Sequence, residues 1–102
     1  MNFPKEKVKE VSINGGLLTV FLDDGRIISA PLSWYPSLES ADEDERMNWQ
    51  PCGAGTGVYW PDLDYDLSIA GIIQGAKERP SVAHYVAQSR KKKRGKRALA
   101  IH

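Results

Sequence analysis

Three carboxylates stand at alternate positions in Asp62-Leu63-Asp64-Tyr65-Asp66, the spacing with which a calcium-binding loop begins. Such a loop needs glycine at its sixth position to turn and a bidentate glutamate at its twelfth; here those positions hold Leu67 and Ile73. Asp64 is better read as a helix cap and Asp66 as a solvated side chain, while Asp62 has no assigned role. Gly53-Ala54-Gly55-Thr56-Gly57 is rich enough in glycine to approach a phosphate, yet it lacks the Lys-Ser/Thr pair of a phosphate loop, and Val58-Tyr59-Trp60-Pro61 does not open a helix. It reads as a turn. The chain has no G-x-S-x-G, and its two histidines are His84 and His102, so a serine or cysteine nucleophile would have to borrow its base from the C-terminal end. Cys52 is alone, which excludes an intramolecular disulfide and a set of thiolate ligands. No catalytic residue, metal ligand or cofactor site is assigned, and the expectation is a protein that is not an enzyme.

Two other groups of residues suit binding. Arg90, Lys91, Lys92, Lys93, Arg94, Lys96 and Arg97 form a basic run broken only by Gly95, suited to neutralising phosphates without reading bases. A solvated tail, or one folded back on an acidic body, is the plainer reading. Trp34, Tyr35, Arg46, Trp49, Trp60 and Asp64 are the candidate partner or ligand surface, since aromatic residues and arginine are enriched at interfaces. Core packing is the favoured alternative for each tryptophan, because a small body needs such large side chains to build a core. Arg46 follows Asp42 and Glu43 by four and three positions, which predicts a surface ion pair or, where the guanidinium reaches an aromatic face, stacking there.

The elements that must position these residues follow from composition and turn chemistry. With 41% apolar and 26% charged residues, the chain is of ordinary globular composition, and 102 residues suit one core. The predicted organisation is a compact domain over 1–80 and a basic, flexible tail over 81–102. The formal charge of +1 hides an asymmetry: all the acidic residues precede Arg79, and half of the basic ones lie in the run at 90–97. No stretch approaches the ~18 apolar residues of a membrane span and the N-terminus lacks a secretory core, so a cytoplasmic location is expected.

Strands are predicted at Val8–Ile13, Leu17–Leu22 and Arg26–Ala30, joined by turns at Asn14-Gly15-Gly16 and Asp23-Asp24-Gly25, with Pro31 ending the third. Leu18, Val20 and Leu22 share one face; Leu17 and Phe21 lie on the other, to be covered by a partner chain, a second copy in a homodimer, or a local loop. Pro36 suits the first turn of a short helix. Ser40 with Glu43 predicts a capping box for a helix at 41–48. A small second hairpin pairs 49–52 with 58–60, and Asp64 caps a core helix at 65–74 with Tyr65, Ile69, Ile72 and Ile73 on its inner face. Gly71 within it predicts close packing on the sheet. A short helix is allowed over 81–88. The fold class is α+β: a three-stranded antiparallel meander, short helices, a second hairpin and a C-terminal core helix.

Read in order, DDGR-x-I-x-x-P-L, SWYPSLESA, ER-x-NW and G-x-G-V-Y-WPDLDYDLS-x-x-G-I-I-x-G resemble the bacterial family catalogued as domain of unknown function 2442, over about residues 8–76. The shared uncommon residues are Trp34, Pro36, Arg46, Trp49, Trp60, Pro61, Asp64 and Leu67. The resemblance implies a small α+β fold with no established activity, and neighbouring small partner proteins in arrangements suggestive of toxin–antitoxin pairs. The basic tail lies outside this pattern. Three functions are therefore in view: a noncatalytic interaction module, antitoxin-like in a two-protein pair; a nucleic-acid-binding accessory protein acting through the tail; and a ligand-binding or enzymatic domain with a site near the tryptophans.

Overall fold

The structure, a computed structural model, describes residues 6–82 and 85–88. In chain order it contains β1 (Val8–Asn14), β2 (Leu17–Leu22), β3 (Ile27–Pro31), α1 (Pro36–Glu39), α2 (Glu43–Met47), β4 (Gln50–Cys52), β5 (Gly57–Trp60), β6 (Tyr65–Ser68) and α3 (Ile69–Gln74). Residues 80–82 and 85–88 are also helical. The strands form two antiparallel sheets, β1-β2-β3 and β4-β5-β6, so the α+β class, the meander and the second hairpin stand, the hairpin with a third strand added.

Gly15 and Gly16 both take positive φ, 58° and 76°, which a two-residue hairpin turn of matching twist requires; Asn14 and Leu17 close it. From that register Val11 faces Val20 and Ile13 faces Leu18 on the inner side, while Thr19 and Ser29 share a hydroxyl hydrogen bond of 2.8 Å on the outer side. A bulge between Val8 and Glu10 shifts the register by one residue. Val8 and Val11, three positions apart, would otherwise point to opposite faces; with the bulge both are buried. On the outer face Leu17 and Ile27 are exposed, while Phe21 is half-buried.

Two helix starts differ from expectation. The cap of α2 is Asp42, not Ser40: the Asp42 carboxylate accepts from the Glu45 amide and the Glu45 carboxylate accepts from the Asp42 amide, each at 2.9 Å. Ser40 instead ends α1, its hydroxyl donating to the Pro36 carbonyl. Residues 65–68, expected as the first turn of the core helix, form strand β6. Asp64 occupies a left-handed turn at φ 49° rather than a cap, and Tyr65 pairs with Trp60 across it. The two rings stand 5.9 Å apart and both are buried, a contact that a helix starting at Tyr65 would forfeit. Helix α3 begins at Ile69 with Ser68 as cap, its hydroxyl accepting from the Gly71 amide at 2.9 Å. A Cβ on Gly71 would come within 2.8 Å of that hydroxyl, so the glycine makes room for the cap rather than for the sheet. Ile69 and Ile72 are buried; Ile73, expected beside them, is exposed.

One core results. The inner face of the meander meets Tyr35 and Leu38 from the α1 region, Val58, Trp60 and Tyr65 from the second sheet, Leu63 from its turn, and Ile69 and Ile72 from α3. Packing continues beyond Pro80 to Val86, which is buried in the same cluster. No helix among the described residues is long and apolar enough to cross a membrane.

Candidate functional site

The residues singled out in the sequence do not form one surface. Tyr35 and Trp60 are fully buried. The Trp60 indole N–H donates to the Arg46 carbonyl at 3.0 Å, tying β5 to the end of α2. Burial pushes the Tyr35 phenol above the ordinary tyrosine range, and its hydroxyl has no hydrogen-bond partner among the described residues. Trp34 is half-buried, with the Lys77 ammonium 5.0 Å from its ring centroid and its carbonyl accepting from the Glu78 amide. Asp64 accepts from the Tyr59 hydroxyl at 2.8 Å and from the Tyr85 hydroxyl, and the first bond raises the Tyr59 pKa. Asp62 accepts from the Asn48 amide at 3.1 Å. The alternate carboxylates at 62–66 thus include two that hold their own neighbours. Cys52 is half-buried, and burial together with Asp66 raises its thiol pKa, opposite to what a nucleophile needs.

Arg46 and Trp49 are brought together. They line a groove of about 570 Å³ between the edge of β1 and the end of α2. The Arg46 guanidinium is turned to α1 rather than to its own helix. Its Nε donates to the Leu38 carbonyl at 2.8 Å and its Nη2 to the Glu39 carbonyl at 2.6 Å, closing the C-terminal end of α1. The planar fork reaches two successive carbonyls, which no carboxylate three or four positions earlier on its own helix offers. Trp49 packs half-buried against the core, and Met47 beside it is 71% exposed. Glu10 on β1 and Glu43 on α2 are exposed and bring two negative charges to the groove. Sequence reasoning missed Met47, Glu10, Val11 and Ile13. The one local signal was Met47, a long apolar side chain ending an otherwise acidic helix; the strand residues join the groove only through tertiary packing.

A second cavity, about 500 Å³, lies between β6, α3 and the segment that follows, lined by Tyr65, Gly71, Ile72, Lys77, Glu78 and Val82 among others. Two of its charged residues, Lys77 and Glu78, are engaged with the protein itself. The Glu78 carboxylate accepts from the Ser37 amide at 3.2 Å and the Ser37 hydroxyl at 2.8 Å, and Lys77 sits over Trp34. Burial first, then the nearby Glu78 carboxylate, raise the Tyr65 phenol well above the ordinary range, although no hydrogen bond from its hydroxyl closes within normal geometry. The arrangement works as a clasp holding the C-terminal segment to α1. Among the described residues no three His, Cys, Asp or Glu side chains converge as a metal site. The basic run from Arg90 to Arg97 lies outside the described residues.

No curated protein matches the chain. Two solved structures share its fold. A protein of unknown function from Rhodospirillum rubrum is 24% identical, with a TM-score of 0.65 over 76% of this chain and 96% of that one. An uncharacterized protein from Chromobacterium violaceum, solved by solution NMR, is 18% identical, with a TM-score of 0.62 over 72% of this chain and 70% of that one. The family model described as "Protein of unknown function (DUF2442)" matches residues 8–78, and the chain belongs to that family.

Proposed function

We propose that this domain is a noncatalytic protein-interaction module whose working surface is the groove between β1 and α2. The observation that carries the proposal is Met47: a large apolar side chain, 71% exposed, beside a half-buried tryptophan in a groove next to a sheet edge. Exposed apolar groups rimmed by charge are a common form of partner surface. The setting we propose is a cytoplasmic two-protein pair, with this chain as the antitoxin-like member, in line with the neighbourhoods that the family resemblance implies.

The test is a pull-down with the tagged full chain from its native host, at low and high salt, comparing wild type with Met47→Asp. A stoichiometric protein retained by wild type and lost by a variant of unchanged melting temperature supports the module. Equal retention by both removes the groove from the reading. A second reading rests on the seven basic residues at 90–97, which suit salt-sensitive nucleic-acid binding. Replacing them by serine within the full chain should abolish a mobility shift of duplex DNA at low salt; an unchanged shift, or none from wild type, sets that reading aside.

A further inference from the structure

The strand order leaves β1 at an edge of its sheet, with β2 as its one neighbour. Because Asn14 and Leu17 close a two-residue hairpin, they exchange both ladder hydrogen bonds, and the pairs behind them alternate between bonded and non-bonded. Ser12↔Thr19 is then a bonded pair, while Ile13↔Leu18 and Val11↔Val20 are not. Val11 and Ile13 therefore turn their N–H and C=O groups away from β2. Both residues line the groove, and no backbone hydrogen bond from outside the ladder reaches either of them among the described residues. An unpaired edge of this kind is a template for another strand.

We infer that the groove takes an extended, basic segment of a partner protein, added to β1 as a fourth strand; this deepens the interaction-module reading and rests on it. The apolar part of the site is one-sided. Alternate side chains of an added strand would fall on Met47 and Trp49, and the intervening ones would stand near Ser12 and Asn14 on the outer face. The charge of the site selects the sign of the partner. Among the described residues Glu10 and Glu43 are the exposed charges of the groove, and its one cation, Arg46, has its guanidinium committed to the Leu38 and Glu39 carbonyls. An acidic strand would meet two exposed like charges against a single half-buried cation already hydrogen-bonded within the protein, whereas lysines or arginines at alternate positions would meet opposite ones. Proline is disfavoured where the partner must donate to Val11 and Ile13.

The experiment is a selection of random displayed peptides, about twelve residues long, on the immobilised full chain, followed by synthesis of the most enriched sequence. The expected sequences carry apolar residues at alternate positions with Lys or Arg between them. On binding, amide exchange at Val11 and Ile13 should slow by about tenfold or more, since both amides become paired. Glu10→Lys with Glu43→Lys should weaken binding by about tenfold, and Met47→Asp should abolish it. Enriched peptides that are acidic or proline-rich, indifference to the double charge reversal, or unchanged exchange at Val11 and Ile13 would overturn strand addition. If Met47→Asp still abolished binding in that case, the interaction surface would survive without this occupant. Binding indifferent to Met47→Asp, or no enrichment at all, would overturn both.

Discussion

At the scale of single residues, Arg46 and Tyr35 show how tertiary geometry reassigns a side chain. The sequence offers Arg46 two carboxylates at helical spacing, and the fold gives it two carbonyls from another helix instead. Hydrogen bonds to a charged donor are worth roughly 1.5–3 kcal/mol, more than the few tenths of a surface ion pair. Arg46→Ala should therefore cost about 2 kcal/mol in urea denaturation, and Arg46→Lys should restore less than half of that, because an ammonium cannot span both carbonyls with a planar fork. Glu43→Ala should change stability by less than about 0.5 kcal/mol. A large loss in Glu43→Ala with little in Arg46→Ala would return the ion pair to favour. Tyr35 was read with the candidate partner surface, because nothing local distinguishes a buried phenol from one at a surface. Since its hydroxyl makes no bond, Tyr35→Phe should be neutral or stabilising by up to about 1 kcal/mol, where loss of a bonded hydroxyl would destabilise.

At the scale of elements, the errors share a cause: two local signals of equal quality overlapped, and burial chose between them. Ser40-x-x-Glu43 and Asp42-x-x-Glu45 are both capping boxes in the sequence. The second is used because Ser40 is occupied in ending α1 and Ala41 is buried between the helices. Asp42→Ala should cost about 1 kcal/mol, whereas Ser40→Ala should stay within about 0.5 kcal/mol of wild type. Equal losses measured by thermal unfolding would mean that both residues share the cap. Tyr65 to Ile73 shows the same competition between periods. Tyr65, Ile69, Ile72 and Ile73 fit a helical face, but Tyr65 and Leu67 also fit a strand, and the partner that decides is Trp60, across a turn whose aspartate takes a left-handed conformation. The meander was readable because glycine with asparagine marks its first turn and glycine with aspartate its second, and each strand needs only its sequence neighbour. The groove was not, since its walls come from β1 and α2, some thirty positions apart, and an edge strand is defined by what fails to pair with it.

At the scale of the molecule, the two sheets and α1 enclose two phenols, Tyr35 and Tyr65, whose hydroxyls are sealed from water and make no hydrogen bond of normal geometry among the described residues. Burial raises both pKa values from the ordinary 10.0, more strongly for Tyr65, where the Glu78 carboxylate of the C-terminal clasp adds to the effect. The folded protein then keeps phenolic protons that the unfolded chain releases near pH 10, so unfolding releases protons and stability falls as pH rises. The contribution is fully present below pH 10 and is lost progressively above it, as pH climbs toward the folded-state values. The limiting slope is about 1.4 kcal/mol per pH unit for each phenol. Urea midpoints between pH 8 and 11 should hold steady at first and then decline, and the decline should be shallower in Tyr65→Phe and shallowest in Tyr35→Phe with Tyr65→Phe. All other side chains are unchanged in the three proteins, so the difference between curves isolates the phenols. If the double variant lost stability as steeply as wild type, alkaline unfolding would have its origin elsewhere. The further substitution Glu78→Gln distinguishes the clasp from burial alone. It removes the charge that opposes phenolate formation at Tyr65 and brings the folded-state pKa back toward the unfolded one, so its decline should begin at the same pH as in wild type but level off sooner, with Ser37 still able to donate to the amide oxygen.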